Sequence, residues 1–304
     1  MVEEISQAQK QRLTFIDFSL QYFGHITRAD LIYRFRMGTA AATRDFASYR
    51  ALAPDNLQLI HQVKQYQRTE QFKPLFFHDA ESVLIGLSRG FGDGLSFTVE
   101  PSDHCLDAIR LIHPKTDIIA TLMRAIVQKK AIECQYISLS SGANKRILVP
   151  HVLVNNGHRW HVRAFDHKSQ QFRDFVCTRF TKLNIIHDKY EPQSLSDKSK
   201  DKQWQRIVDL TLIPHPNVIH KEAIELDYDM TNGVITLEVR AALVGYLLQQ
   251  WQVDSSKKHG LMGSQYQLAL ENPASLYGVE NLMLAPGYET SGETQNKKKG
   301  EFNG

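Results

Sequence analysis

The chain is expected to be α+β and multidomain, on three observations. Apolar residues recur at helical spacing ahead of Pro54, short strands rich in cations and hydroxyls lie between Ile132 and Phe180, and strands alternate with helices beyond Trp204. At 304 residues the chain is long enough for two or three domains, each with its own core. A net charge of +3 with 23% charged residues is only mildly basic, so a nucleic-acid surface must come from local clustering.

The same composition excludes several classes. No run of about 18 apolar residues is present and the N-terminal "MVEEISQAQKQR" lacks the apolar core of a signal peptide, so no membrane partner and a cytoplasmic location are expected. Cys105, Cys134 and Cys177 form no Cys-x-x-Cys pair, which predicts reduced structural thiols.

In the first helix Leu13, Ile16, Phe18, Leu20 and Phe23 give an apolar side, and Gly24 supplies a stop. Thr27 and Asp30 have the spacing of a capping box, which predicts a second helix from about Arg28 to Met37. Gly38 suits the left-handed residue after that helix, and Thr39 the cap of the next. The order is helix, tight turn, helix.

In the third helix Ala42, Phe46, Tyr49 and Ala53 recur at helical spacing and should face the core. Ala40, Thr43, Arg44, Ala47 and Ser48 are left on the other side, small enough to enter a major groove, with Thr43 and Arg44 able to reach base edges. Pro54, Asp55 and Asn56 end the helix. "LQLIHQVKQYQRTEQF" then reads as a pair of strands, a wing on which Lys64, Arg68 and Lys73 suit phosphate contacts. Helical spacing alone leaves open a three-helix packing unit whose basic residues are merely solvated.

Next, "LIGLSRGFGDGLSF" carries Gly86, Gly90, Gly92 and Gly94 without the spacing or lysine of a P-loop, and is expected to be a flexible connector. Ile118, Ile119, Leu122, Met123 and Ile126 predict an amphipathic helix that packs on the strands after it.

Along those strands, periodicity puts Tyr136 with Ser138, His161 with Arg163, and Arg173 with Arg179, each pair on one face. A guanidinium offers a planar fork of donors to phosphate, and hydroxyls can donate to the remaining anion oxygens. Such a set suits a nucleotide, an oligonucleotide or a single-stranded end, with His151 and His161 as pH-dependent donors. The alternative is that the arginines lie on an exposed sheet face or pair with Asp166 and Asp174. His158-x-x-His161 lacks the partners of a tetrahedral metal site, and no catalytic triad is recognisable, so no metal, cofactor or catalytic residue is assigned.

The polar "YEPQSLSDKSKDKQ" is expected to be an exposed linker. Beyond it "RIVDLTLI", "GVITLEV" and "QYQLAL" read as strands and "NVIHKEAIEL" and "ALVGYLLQQW" as helices, a small α/β sandwich. Leu243, Tyr246, Leu247 and Trp251 fit either an interface or burial within the domain. The final "SGETQNKKKGEFNG" is expected to be disordered.

The segments "IECQYIS", "KRILVPHVLVNNGHRWHVRAF" and "FRDFVCTRF" resemble the WYL domain, a small Sm-like β-barrel of bacterial transcription regulators. The namesake triad stands here as Trp160-His161-Val162, a variant similar to the branch of WYL regulators associated with phage-defence operons of the BREX and CBASS type. "TAAATRDFASYRALAPDNL" is similar to the recognition region of that branch. The resemblance implies a winged helix-turn-helix over residues 1–95, a helical linker over 96–130, a WYL domain over 131–192, a C-terminal extension used for dimerisation over 193–290 and a tail over 291–304. It also implies a ligand-sensing role for Tyr136, Ser138, Arg146, His151, Arg163 and Arg179, and a core role for Trp160.

Together these readings point to a homodimeric repressor of a phage-defence operon. Thr39, Ala40, Thr43, Arg44, Ser48, Lys64 and Arg68 would bind an inverted-repeat DNA operator. Tyr136, Ser138, Arg146, His151, His161, Arg163, Arg173 and Arg179 would sense a nucleotide or other nucleic-acid-derived ligand. The rival reading is a module that grips single-stranded DNA or RNA through the basic strands, without sequence preference. An enzyme acting on nucleic acid would need acidic metal ligands that the sequence does not offer.

Overall fold

The computed structural model describes residues 6–79, 82–85, 111–186 and 196–289. The glycine connector from Gly86 to Gly94, Cys105, residues 190–195 of the polar stretch and the tail from residue 291 lie outside them. The chain divides into two compact units, with Val154–His161 grouped with the C-terminal region and the rest of the central strands with the N-terminal one.

The first unit begins with helix α1 (Gln7–Tyr22), whose N-cap Ser6 accepts from the Gln9 N–H at 3.2 Å. Gly24 follows it at φ 83°, a left-handed turn that sterics reserve largely for glycine. Strand β1 (His25–Thr27) leads into α2 (Arg28–Phe35). The capping box is present: Asp30 N–H donates to the Thr27 hydroxyl at 3.2 Å and Thr27 N–H to the Asp30 carboxylate at 2.8 Å.

The end of α2 corrects the sequence reading. Arg36, at φ 48°, makes the left-handed turn and its N–H bonds to the Ile32 carbonyl, so α2 stops at Phe35. Gly38 is extended and N-caps α3 (Thr39–Leu52), and Thr39 is the first residue of α3 rather than its cap. After α3, β2 (Leu57–Ile60), a single 3-10 turn (His61–Val63) and β3 (Gln65–Arg68) form the wing, a three-stranded sheet in the order β1-β3-β2. All its pairs are antiparallel.

Leu13, Ile16, Leu20, Ile26, Leu31, Ala42, Phe46 and Tyr49 share one core. Each large apolar side chain there contributes roughly 1.5–3 kcal/mol. A buried polar knot lies alongside. Asp17 accepts from the Tyr49 hydroxyl at 2.5 Å, from the backbone N–H groups of Leu75 and Phe76 at 3.1 and 3.2 Å, and stands 3.0 Å from His78 Nε2. The segment after the wing is thereby tied back to α1.

Helix α4 (Thr116–Val127) buries Ile119, Ala120, Leu122 and Ala125 and packs against α1 and β8. The central strands are β4 (Ile132–Ser138), β5 (Gly142–Asn155), β6 (Trp160–Asp166), β7 (Gln171–Val176) and β8 (Phe180–Ile185). They form one sheet in the order β7-β6-β5-β4-β8. No pairing that closes this sheet into a barrel is detected among the described residues: the turn Cys177–Arg179 carries the chain from β7 at one edge to β8 at the other, and β8 pairs with β4.

In the second unit β9 (Ile207–Pro214) lies between β10 (Ile235–Arg240) and β11 (Leu268–Leu270), both antiparallel to it. Short helices α5 (Lys202–Gln205), α6 (Lys221–Asp227) and α7 (Val244–Gln250) complete the expected mixture. Val208, Leu210, Leu212, Val244, Leu248 and Leu268 centre the core. Leu243, Tyr246, Leu247 and Trp251 are all half-buried. Asn217 N–H donates to His215 Nδ1, so His215 Nε2 carries the proton and donates to the buried Asp254 carboxylate at 3.0 Å. Within this unit Gly157 lies against the Gln250 side chain, and the rings of His161 and Tyr246 are 5.2 Å apart.

Candidate functional site

The exposed face of α3 starts at its first residue. Thr39, Ala40, Thr43, Arg44 and Ala47 are exposed, and Ser48 is half-buried, with Gln9 Nε2 donating to its hydroxyl at 3.4 Å. The Thr43 hydroxyl donates to the Thr39 carbonyl at 3.0 Å, which leaves the Arg44 guanidinium as the longest reach on this surface.

The buried side of α3 holds that face rigid. Arg12 grips Asp45 with two hydrogen bonds, Nε to Oδ2 at 2.6 Å and Nη2 to Oδ1 at 3.2 Å, the bidentate geometry that fixes orientation as well as distance. Phe46 stacks on Tyr66 of β3 with ring centroids 3.9 Å apart and planes within 8°, so α3 packs directly on the wing. Arg28 lies over the same Tyr66 ring and donates to its hydroxyl at 3.0 Å.

On the wing the proposed phosphate contacts divide. Lys64 is exposed at the turn between β2 and β3, with φ 51°, and Lys73 is exposed beyond the wing. Arg68 turns inward: its guanidinium covers the Phe72 ring at 4.8 Å and Nη1 donates to the Thr69 carbonyl at 3.3 Å. Burial lowers its pKa from the ordinary arginine value. Strand alternation could not foresee this, because Phe72 lies past the end of the strand. Among the exposed cations that the sequence reading did not single out is Arg36. Arg36 is exposed at the turn between α2 and α3, and the expectation that Gly38 ended α2 concealed it.

On the central sheet the expected ligand residues separate into several roles. Tyr136 is 3% exposed, edge-on to Phe175 and Phe180, and its hydroxyl accepts from Val176 N–H at 3.1 Å. It is a core residue. The register of β4 with β5 sets Ile132 opposite Leu148, Cys134 opposite Arg146 and Tyr136 opposite Asn144, so that this face of the sheet is the buried one. Ser138 organises the hairpin turn after β4, accepting from Ser140 N–H at 3.2 Å.

Arg146 donates to Asp166 at 2.5 Å and lies over the Phe175 ring, while Arg163, 5% exposed, donates to Asp174 at 3.1 Å. Both arginines have carboxylate partners of the kind that the sequence left open. His151 is half-buried against Phe172, His161 is buried, Arg179 is half-buried, and Arg173 is exposed with a bond to Gln171 at 3.3 Å. The structure thus does not gather all eight residues into one open basic pocket. Among the described residues no cluster of three or more His, Cys, Asp or Glu side chains is placed to hold a metal ion.

Comparison with known proteins adds to this geometry. Residues 8–86 match the winged helix-turn-helix domain of the BrxR transcriptional regulator, residues 117–185 the WYL domain, and residues 207–276 the C-terminal dimerization domain of BrxR. The DNA-binding transcriptional repressor CapW of Escherichia coli (strain KTE188) is 31% identical over 285 residues, covering 89% of this chain and 91% of that protein. CapW of Pseudomonas aeruginosa is 33% identical over 278 residues, covering 87% and 89%. CapW of Stenotrophomonas maltophilia is 30% identical over 269 residues, covering 83% and 86%.

Proposed function

This chain belongs to the BrxR and CapW family of WYL-domain transcriptional regulators, and on that premise we propose that it is a dimeric repressor of a phage-defence operon, controlled by a nucleic-acid-derived ligand. The observation that carries the DNA-binding part is the exposed face of α3, where small residues flank Arg44 and the helix is locked to a wing bearing Lys64. Arg44 and Thr43 read base edges in the major groove, and Lys64 and Thr39 hold phosphates. The helix N-terminus at Gly38 adds backbone donors toward the same phosphates. Two chains related by a twofold axis then require an inverted repeat.

The ligand part is constrained by the two ion pairs. A nucleotide or oligonucleotide phosphate reaches Arg163 or Arg146 only by competing with Asp174 or Asp166. That competition gives the ligand a structural effect, since a carboxylate released from its partner must move or take up solvent. Only a ligand that binds one conformation better than the other can shift DNA affinity.

The test is a mobility-shift titration of the purified protein on DNA from upstream of its own gene, against scrambled duplex and single strand, at one salt concentration. Tight, sequence-selective duplex binding is expected. Preference for single strands would overturn the reading and transfer binding to the central sheet.

A further inference from the structure

The C-terminal unit carries large apolar side chains that its own core does not use. Ile219 is 88% exposed, Leu226 83% and Met262 77%. Leu243, Tyr246, Leu247 and Trp251, which the sequence offered as interface residues, are by contrast half-buried. The core closes without the first three: Ile224 is the residue that α6 turns inward, onto Leu210, Leu212 and Leu248.

Local structure places these side chains on and beside one short helix. His220 is the N-cap of α6, so Ile219 holds the position from which an apolar side chain ordinarily folds over the fourth helical residue, here Ile224. Ile219 stands in solvent instead. Ala223 and Leu226 are three residues apart and share the exposed side of α6. Met262 joins them from a separate loop: Asn217 Nδ2 donates to its Sδ at 3.3 Å, which ties it to the segment entering the helix.

We infer that this surface, with α6 at its centre, is where a second copy of this chain docks; the inference rests on the dimeric reading above. Two observations select a second copy as the occupant. The surface lies within residues 207–276, the span that matches a dimerization domain. The charges of α6 are also self-complementary. Exposed Lys221 begins the helix and exposed Asp227 ends it, about 9 Å further along the axis. A twofold axis across the helix runs the two copies antiparallel, which sets Lys221 opposite the partner's Asp227 and Leu226 against the partner's Ala223. Ile219 and Met262 then extend the apolar centre, with the charged pairs at its rim.

The experiment is sedimentation equilibrium of the full chain over a range of concentrations. The parent is expected to dimerise, with a dissociation constant raised roughly thirtyfold or more by Leu226→Glu and by Ile219→Glu. Met283→Glu, at an exposed residue beyond the matched span, should leave it unchanged. Lys221→Asp and Asp227→Lys should each weaken the dimer severalfold by setting like charges together, and the double exchange should recover the parent value. Both residues are exposed, so this cycle keeps the test decisive if a glutamate variant folds poorly. A parent that stays monomeric throughout would overturn the dimeric reading and this surface with it. A dimer that survives Leu226→Glu and Ile219→Glu, one that Met283→Glu dissociates equally, or a double exchange no tighter than the single ones would overturn the surface and leave the dimeric reading standing.

Discussion

Tyr49 of α3 donates its hydroxyl to Asp17 of α1 at 2.5 Å, and the same hydroxyl accepts from Asn56 Nδ2 at 3.0 Å. Burial, and then the charge of Asp17, push the phenol pKa far above its ordinary value, so the proton stays on the tyrosine and the bond keeps its direction. Removing the hydroxyl by Tyr49→Phe leaves the Asp17 carboxylate and the Asn56 amide each one partner short. The expected loss is about 1–3 kcal/mol of stability, read as a lower midpoint in urea unfolding. An unchanged midpoint would mean that water replaces the phenol.

Arg44→Ala should cost about 1–3 kcal/mol of discrimination at one base position while the unfolding midpoint stays constant, since the side chain is exposed and no packing depends on it. The check is a panel of operators altered one position at a time. Equal loss on specific and random duplex would remove Arg44 from base reading and leave it a phosphate contact.

Arg163→Ala should destabilise the protein by about 3–5 kcal/mol, because Asp174 would keep a charge in a largely buried place without its partner. The double variant Arg163→Met with Asp174→Leu should recover most of that loss. Thermal unfolding of the three proteins decides the matter. Arg173, exposed, is the better position for probing ligand response without damage to the fold.

The two described cysteines should resist thiol reagents in the native protein at pH 8. Burial pushes the Cys134 thiol up to about 12 and raises that of Cys177 as well, both from an ordinary 9.0, so little thiolate forms. The sign for stability follows. A raised folded-state value contributes stability that is full below pH 9.0 and is lost as pH rises from there toward about 12. Labelling rates at pH 8, with and without urea, test the first statement; unfolding midpoints between pH 8 and 11 test the second.

Asp254 behaves in the opposite sense. Its burial opposes ionisation, but hydrogen bonds from Ser256, His215 and Leu261 outweigh that and hold the carboxyl below its ordinary 3.8. Stability from this group is present above pH 3.8 and falls as pH drops through the lowered value. Acid unfolding of Asp254→Asn should lack that contribution and so be less steep than that of the parent.

The features legible in the sequence are those set by near neighbours. Thr27 and Asp30 are three residues apart and their capping box is local, and the core stripe Ala42, Phe46, Tyr49 needs only the helical period. The central site was legible only in part. Period two shows that Tyr136 and Ser138 share a face, but not which face looks inward; pairing with β5 and β8 decides that. The partners of Arg146 and Arg163 lie 20 and 11 residues away, a distance over which no local rule selects one aspartate rather than solvent or ligand. The inward turn of Arg68 was illegible for the same reason, since the Phe72 ring that it covers lies beyond the strand end.

The grouping of Val154–His161 with the C-terminal unit has a consequence for anyone who dissects this chain. A fragment cut in the polar stretch after Ile186 would contain every strand and helix of the C-terminal region, yet lack Gly157 beside Gln250 and His161 beside Tyr246. The matching N-terminal fragment would carry that hairpin tip with nothing to cover it. Neither piece would reproduce its part of the whole, and coexpressing the two halves should restore a soluble complex that each alone fails to form.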